Sequence, residues 1–249
     1  MTDEPNRSPR IDRVYELEMT SRRVEVHRLA AATRGIIEHL VSNTASEAEL
    51  RLAADQLEVV GEMLARYPHG STYQGFREAA NAGAAINEER DLASEGESAL
   101  YAFFDHSPFI GLANPMSPPL VLDYGTDSIV GTVTFGTAYE GPPGCVHGGY
   151  IAAVFDEVLG ATQSLSGSQG MTAYLHIDYR SPSPLHTELK LVGRLDSTDG
   201  RKIRCSGTLM AGDRLCAEAD GLFVSFDPER FRALLDARDD REGPADRSG

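Results

Sequence analysis

No stretch of this 249-residue chain stays apolar for 18 residues, so the sequence offers no membrane-spanning helix. The opening MTDEPNRSPRIDRVYELEM lacks the apolar core of a secretory signal, so export is not expected. Cysteine is scarce. Cys145, Cys205 and Cys216 are odd in number, far apart and form no CxxC pair, which suggests neither a disulfide framework nor a zinc site. A reducing cytoplasm is the expected location. Positive charge is short as well: 23 Lys and Arg face 38 Asp and Glu, for a net charge of −15. That balance disfavours nonspecific nucleic-acid binding, and an anionic ligand would need a local gathering of basic side chains. No internal repeat and no DNA-binding helix-turn-helix stand out.

What is present divides the chain into four parts. Residues 1–12 are polar and carry prolines, and are expected to be disordered. Residues 13–99 read as a helical extension, a helical hairpin over 13–67 followed by a Gly-, Ala- and Glu-rich linker. In the first helix Leu29, Thr33, Ile36, Ile37 and Leu40 recur at helical spacing; in the second, Leu50, Ala53, Leu57, Val60 and Leu64 step 3, 4, 3, 4. Ser46 followed by Glu49 fits a capping box at the second helix's start. The hairpin admits two readings, a pair packed on its own domain or an arm for dimerisation or partner binding. Residues 100–227 form the main domain, and 228–249 a charged tail.

Within the main domain, segments 120–125 and 128–136 read as strands, and 147–165 as a helix. Segments 171–181, 188–197, 202–211 and 214–227 then read as four strands, with turn chemistry in the gaps. Their hairpin spacing predicts an antiparallel meander. The fold class is therefore α+β, a curved antiparallel sheet around one central helix.

The stretch GCVHGGYIAAVFDEV (144–158) is the chemically suggestive one. A helix start presents unsatisfied N–H groups and about half a positive charge. Glycine there lets another molecule approach the backbone because no Cβ intervenes. His147, Gly148 and Gly149 stand at that start, and the run after them is apolar nearly all round. Of the adjacent acids Asp156 and Glu157, the pattern predicts one enclosed and one exposed, with Asp156 the enclosed one. Asp156 lies eight residues past Gly148, about 12 Å along the axis. One chain's acid therefore cannot serve its own helix start, whereas a partner's acid can. A plain tight turn and a solvated helix face are the structural alternatives.

PPGCVHGGYIAAVFDEVLG, then MTAYLHIDYRSPSPL, then DGRKI, resemble the hotdog-fold acyl-CoA thioesterases, most closely the phenylacetic-acid-pathway (PaaI-like) and human thioesterase-superfamily branch. The resemblance spans about residues 100–227 and leaves out 1–99. It implies a homodimer or dimer of dimers with active sites at the interface, and an acyl-CoA substrate. It also implies that the Gly148 N–H polarises the thioester carbonyl and that His147 holds the turn. Asp156 of the other protomer then acts as general base or nucleophile, and Thr172 orients the water or the carboxylate. Neither metal nor cofactor is expected. Where some related enzymes carry Asn or Gln six residues before the histidine, this chain has Gly141.

Coenzyme A carries phosphates, and Arg180, Arg194, Arg201, Lys202 and Arg204 fall within 25 residues. The resemblance carries over Gly149, Arg180, Arg201, Lys202 and Asp178 as substrate-binding candidates. A solvated hairpin with ordinary surface charge is the competing account. A noncatalytic acyl-CoA or lipid-binding module and an acyl-thioester dehydratase or hydratase remain the functional alternatives.

Overall fold

The computed structural model describes residues 21–67, 107–118, 120–168 and 170–225. The expected disordered N-terminus, the linker and the charged tail lie outside the described residues. Two N-terminal helices, α1 (Ser21–Leu40) and α2 (Glu47–Ala65), precede strands β1 (Val121–Tyr124) and β2 (Ser128–Thr134). Helix α3 (Gly148–Thr162) follows, then β3 (Gly170–Tyr179), β4 (Glu188–Asp199), β5 (Lys202–Ala211) and β6 (Arg214–Ser225). The six strands make one antiparallel sheet in the order β1-β2-β4-β5-β6-β3.

The sheet wraps α3. Ile151, Val154, Phe155, Val158 and Leu159 are buried against Ile129, Leu189, Leu191, Leu209 and Phe223. Burying side chains of this size contributes about 1.5–3 kcal/mol each, which makes this face the main stabiliser of the domain. The helix sits close to the strands: a Cβ at Gly193 would lie 2.2 Å from the Thr162 hydroxyl, so only glycine fits there.

The strand positions agree with the periodicity, but the expected simple meander does not hold. Strand β3 is not beside β4; it crosses to the far edge and pairs with β6. The cause lies in residues 181–187, which carry two prolines and run past the helix start instead of turning back. Val146 N–H donates to Ser183 O, Leu185 N–H to Gly144 O, and His186 N–H to Phe135 O. That path delivers β4 beside β2, where Glu188 pairs with Thr134. The outer edge of β3 is then without a neighbouring strand among the described residues.

The N-terminal helices form as expected, and both halves of the Ser46–Glu49 capping box are present. Their apolar seams are not covered among the described residues. The apolar face of α1, with Leu29, Ile36, Ile37 and Leu40, stays exposed; so does the Leu50, Leu57, Val60, Leu64 seam of α2, which buries no residue. The residues of α1 that meet the main domain are a different stripe, Ala30, Arg34 and Glu38. Ala30 is buried, while Arg34 and Glu38 hydrogen-bond across to residues 112–114 and 137–138.

Candidate active site

Helix α3 begins at an N-cap histidine. His147 has extended backbone angles, and its Nδ1 accepts the Gly149 N–H at 3.0 Å. That bond fixes the neutral imidazole with its proton on Nε2. The Tyr150 and Ile151 N–H groups turn back to His147 O. The Gly148 N–H alone finds no acceptor among the described residues. One donor at the start of a buried, apolar helix is thus left pointing outward with the positive end of the macrodipole behind it.

The chain shapes the surroundings of this donor closely. The His147 N–H donates to Tyr139 O at 2.9 Å, and the Tyr179 hydroxyl at the end of β3 donates to Gly148 O at 2.9 Å. A Cβ on Gly148 would meet the Tyr179 ring at 3.5 Å, an ordinary contact, so the chain's own packing does not demand glycine there. At Gly141 the reverse holds. A Cβ would lie 2.7 Å from His147 Cα, which excludes the Asn or Gln side chain of the resembling enzymes.

The acid lies two turns further along α3. Thr172 Oγ1 donates to Asp156 Oδ1 at 2.8 Å. Strict alternation would put Thr172 on the same face as His176 and Asp178, away from α3. A β-bulge between Thr172 and Tyr174 shifts the alternation, so Thr172 pairs with buried Phe223 and joins Leu175, Ile177 and Tyr179 on the helix side. Re-aiming one side chain is a common use of a bulge.

The expectation about the two acids is reversed within the chain: Asp156 is exposed and Glu157 is the enclosed one. Burial pushes the Glu157 carboxyl up to about 7, with the neighbouring Asp156 charge adding to the rise and a hydrogen bond with Ser107 opposing it. The helical wheel explains the exchange, because Glu157 turns toward the segment from Ser107 while Asp156 faces the flank of β3.

Two other candidates stand apart. Asp178 and Arg180 lie on the outer face of the sheet, where Arg180 Nε donates to Glu218 at 2.7 Å and its Nη2 to Asp178 at 2.8 Å. Asp178 and Glu218, with His176, whose ring lies 3.1 Å from Asp220, line an open groove of about 360 Å³. The structure does not bring Asp178 or Arg180 to Gly148 or Asp156 of the same chain. Arg201 and Lys202 are exposed on the β4–β5 turn, where Arg201 Nε donates to Ser225 O at 2.8 Å. Ser225 pairs with Gly170, two residues before Thr172, so this turn stands at the acid end of β3. Sequence reasoning missed Tyr179, whose only signal was its place at the end of the strand that carries Thr172.

The thioesterase superfamily pattern matches residues 143–218, a span that includes every site residue named above from His147 to Glu218. A solved thioesterase superfamily protein is 34% identical, with a TM-score of 0.64 over 80% of this chain and 94% of that one. The chain belongs to the thioesterase superfamily, and its fold is the hotdog. Residues 107 onward cannot supply 80% of the chain, so that likeness takes in part of the N-terminal region as well. The acyl-coenzyme A thioesterase THEM4 of Bos taurus is 38% identical over 97 residues, 38% of this chain and 40% of that protein. The acyl-coenzyme A thioesterase THEM5 of Homo sapiens is 30% identical over 96 residues, 38% of this chain and 39% of that protein. The chain thus spans about two fifths of the length of these curated relatives. Among the described residues no helix is long and apolar enough to cross a membrane, and no three His, Cys, Asp or Glu side chains gather as a metal site would require.

Proposed function

We propose that this protein hydrolyses acyl-CoA thioesters, as a PaaI-like cytoplasmic homodimer whose two protomers share each reaction centre. The observation that carries the reading is the division of amides at the helix start. His147 consumes the Gly149 N–H, and the Gly148 N–H has no acceptor among the described residues, on a residue whose missing side chain its own packing does not require.

The free edge of β3 supports the shared centre. Thr172 marks the acid end of that strand and Tyr179 the amide end. Antiparallel pairing of β3 with its copy, about a two-fold axis near residues 175–176, sets Thr172 of one protomer opposite Tyr179 of the other. Asp156 then meets the partner's amide donor, which resolves the separation of about 12 Å within one chain. A ten-residue exposed edge strand is also one that a soluble protein must cover.

The chemistry follows from this placement. The thioester carbonyl oxygen accepts the Gly148 N–H, and charge builds on it as the carbonyl carbon is attacked. A preorganised donor of this kind contributes about 2.7–4 kcal/mol to the transition state. Asp156 either takes a proton from the attacking water or attacks the carbonyl carbon itself, and Thr172 holds the carboxylate for either role. Collapse of the tetrahedral species expels the coenzyme A thiolate, which takes up the proton lost by the water; where Asp156 itself attacks, the anhydride left on its carboxylate is then cleaved by that water, releasing the free acid and restoring the carboxylate. Arg201 and Lys202 at the acid end supply positive charge for the coenzyme's phosphates. Arg180 and Asp178 are already committed to each other.

A hydrolysis screen across acyl-CoA chain lengths, with Asp156→Ala as control, tests the reading. Turnover that the control abolishes supports it. Ligand-dependent thermal stabilisation without turnover of any member would instead favour a noncatalytic binding module. Hydration of an enoyl-CoA would favour the hydratase class.

A further inference from the structure

We propose that α1 is part of the reaction centre's support, with Glu38 a positioning residue that sets the oxyanion amide through the turn at 137–139. The inference rests on the thioesterase reading for its kinetic consequence, but its structural half stands without it.

The turn Thr137–Tyr139 begins at Gly136, which has no side chain to cap it. Glu38 caps it from outside: Oε1 accepts the Thr137 N–H at 2.6 Å and Oε2 the Ala138 N–H at 3.0 Å. The two partners lie about a hundred residues apart in sequence, so this is a tertiary contact and not a local accident. Gly136 is fitted to it, because a Cβ there would lie 2.5–2.7 Å from the carboxylate atoms. Burial pushes the Glu38 carboxyl up, but the two amide bonds, together with the Thr137 hydroxyl and the nearby His186, outweigh it and hold the group below its ordinary value. Charge-assisted bonds of this type are roughly twice as strong as neutral ones.

The other end of the turn reaches the helix start. Tyr139 O accepts the His147 N–H, and its ring stands edge-on to Tyr150 with centroids 4.8 Å apart. One residue thus grips α3 on both sides of Gly148. One helical turn before Glu38, Arg34 Nη1 donates to Asn114 O at 2.8 Å and Leu112 O at 3.3 Å, which spans a second segment. From the opposite side His186 Nε2 lies 3.0 Å from Thr137 Oγ1. Among the described residues, the hydrogen bonds from α1 to the domain run from Arg34 and Glu38 to backbone groups, beside the buried Ala30, an arrangement that suits a strut.

The test uses the full chain and the variants Glu38→Ala, Glu38→Gln, Gly136→Ala and the Glu38→Ala/Gly136→Ala pair. Two readouts are taken: kcat and KM for the best acyl-CoA from the screen, and hydrogen–deuterium exchange across 137–150. Glu38→Ala is expected to lower kcat about tenfold with KM nearly unchanged, the sign of a lost transition-state interaction. Exchange at the His147 and Gly149 amides, which are hydrogen-bonded to Tyr139 O and His147 Nδ1, should rise with it. Gly136→Ala displaces the carboxylate and should reproduce both effects, and the pair should add little to either single change, as expected for residues acting through one contact. Glu38→Gln, which keeps shape but weakens the bonds, should fall between, and it decides the question if the alanine variant fails to fold. Unchanged kcat together with unchanged exchange at 137–150, in folded Glu38→Gln and Gly136→Ala, overturns the proposal. If the wild-type chain hydrolyses no acyl-CoA, the thioesterase reading falls, and the exchange arm still decides whether Glu38 holds the helix start.

Discussion

The two ends of the α3–β3 pair are built in opposite ways. At the amide end the backbone is held from many directions: His147 caps it, Tyr179 and Tyr139 bind its peptides, and Glu38 braces the turn behind it. At the acid end a single exposed carboxylate hangs from the helix, steadied by one threonine. A donor that must meet developing charge gains from rigidity, because nothing then reorganises in the transition state. An acid that must move a proton, or form and break a bond, needs only to be aimed. Changes at the acid end should therefore remove chemistry and spare the fold, while changes at the amide end divide by whether they disturb the held backbone or only its access.

Asp156 offers the largest effect. Asp156→Asn should lower kcat on the order of 10²–10⁴-fold, the range for loss of a general base, with unchanged elution volume and a melting temperature no lower than that of the parent chain. A variant that unfolds or falls apart would show that the acid end is structural too, and the contrast would fail. Gly148→Ala comes next. It keeps the N–H and meets Tyr179 at an ordinary 3.5 Å, so the protein should fold, with a melting temperature unchanged or slightly higher. On the proposed mechanism the new methyl, beside Tyr179, narrows the approach to the Gly148 N–H, and a displacement of about 1 Å is enough to cost on the order of 10²-fold in kcat/KM. Retained turnover in folded Gly148→Ala would show that access to this amide does not require a bare backbone. Thr172→Val keeps shape and loses the bond to Asp156; kcat should fall about tenfold, and Thr172→Ser should restore most of it.

The elements were legible in the sequence because each carries its own periodicity. Alternation placed the strands to within a few residues, and the Ser46–Glu49 pair announced the start of α2. The helix start was legible because His-Gly-Gly leads directly into an apolar run of helical length, with an acid two turns along it. What escaped was set by long-range geometry. The crossing of β3 to the sheet edge depends on where residues 181–187 find hydrogen bonds, at Gly144, Val146 and Phe135. The bulge that turns Thr172 inward leaves no composition signal. Periodicity singled out the apolar stripe of α1, yet the stripe that docks holds Arg34 and Glu38, because its partners are backbone groups 80 and 100 residues away. The order of exposure of Asp156 and Glu157 likewise depends on the segment from Ser107 folding over one flank of α3.

Glu157 gives the smallest effect and probes the acid end without touching its chemistry. Its carboxyl stands at about 7 in the folded chain against an ordinary value near 4.5, so between these values the folded state holds a proton that the unfolded chain has released. Stability should therefore fall as pH rises from about 4.5 to 7 and level off above, with a total on the order of 2 kcal/mol once partial exposure is allowed for. Glu157→Gln removes the titrating group and keeps its size. It should raise the melting temperature at pH 8 and leave it nearly unchanged at pH 4.5. Asp156→Asn should shrink the same pH dependence, since the Asp156 charge is part of what raises Glu157, whereas Gly148→Ala should not alter it. If Gly148→Ala flattened that curve as much as Asp156→Asn, the two ends of the helix would be coupled electrostatically, and the separation of their roles would have to be abandoned.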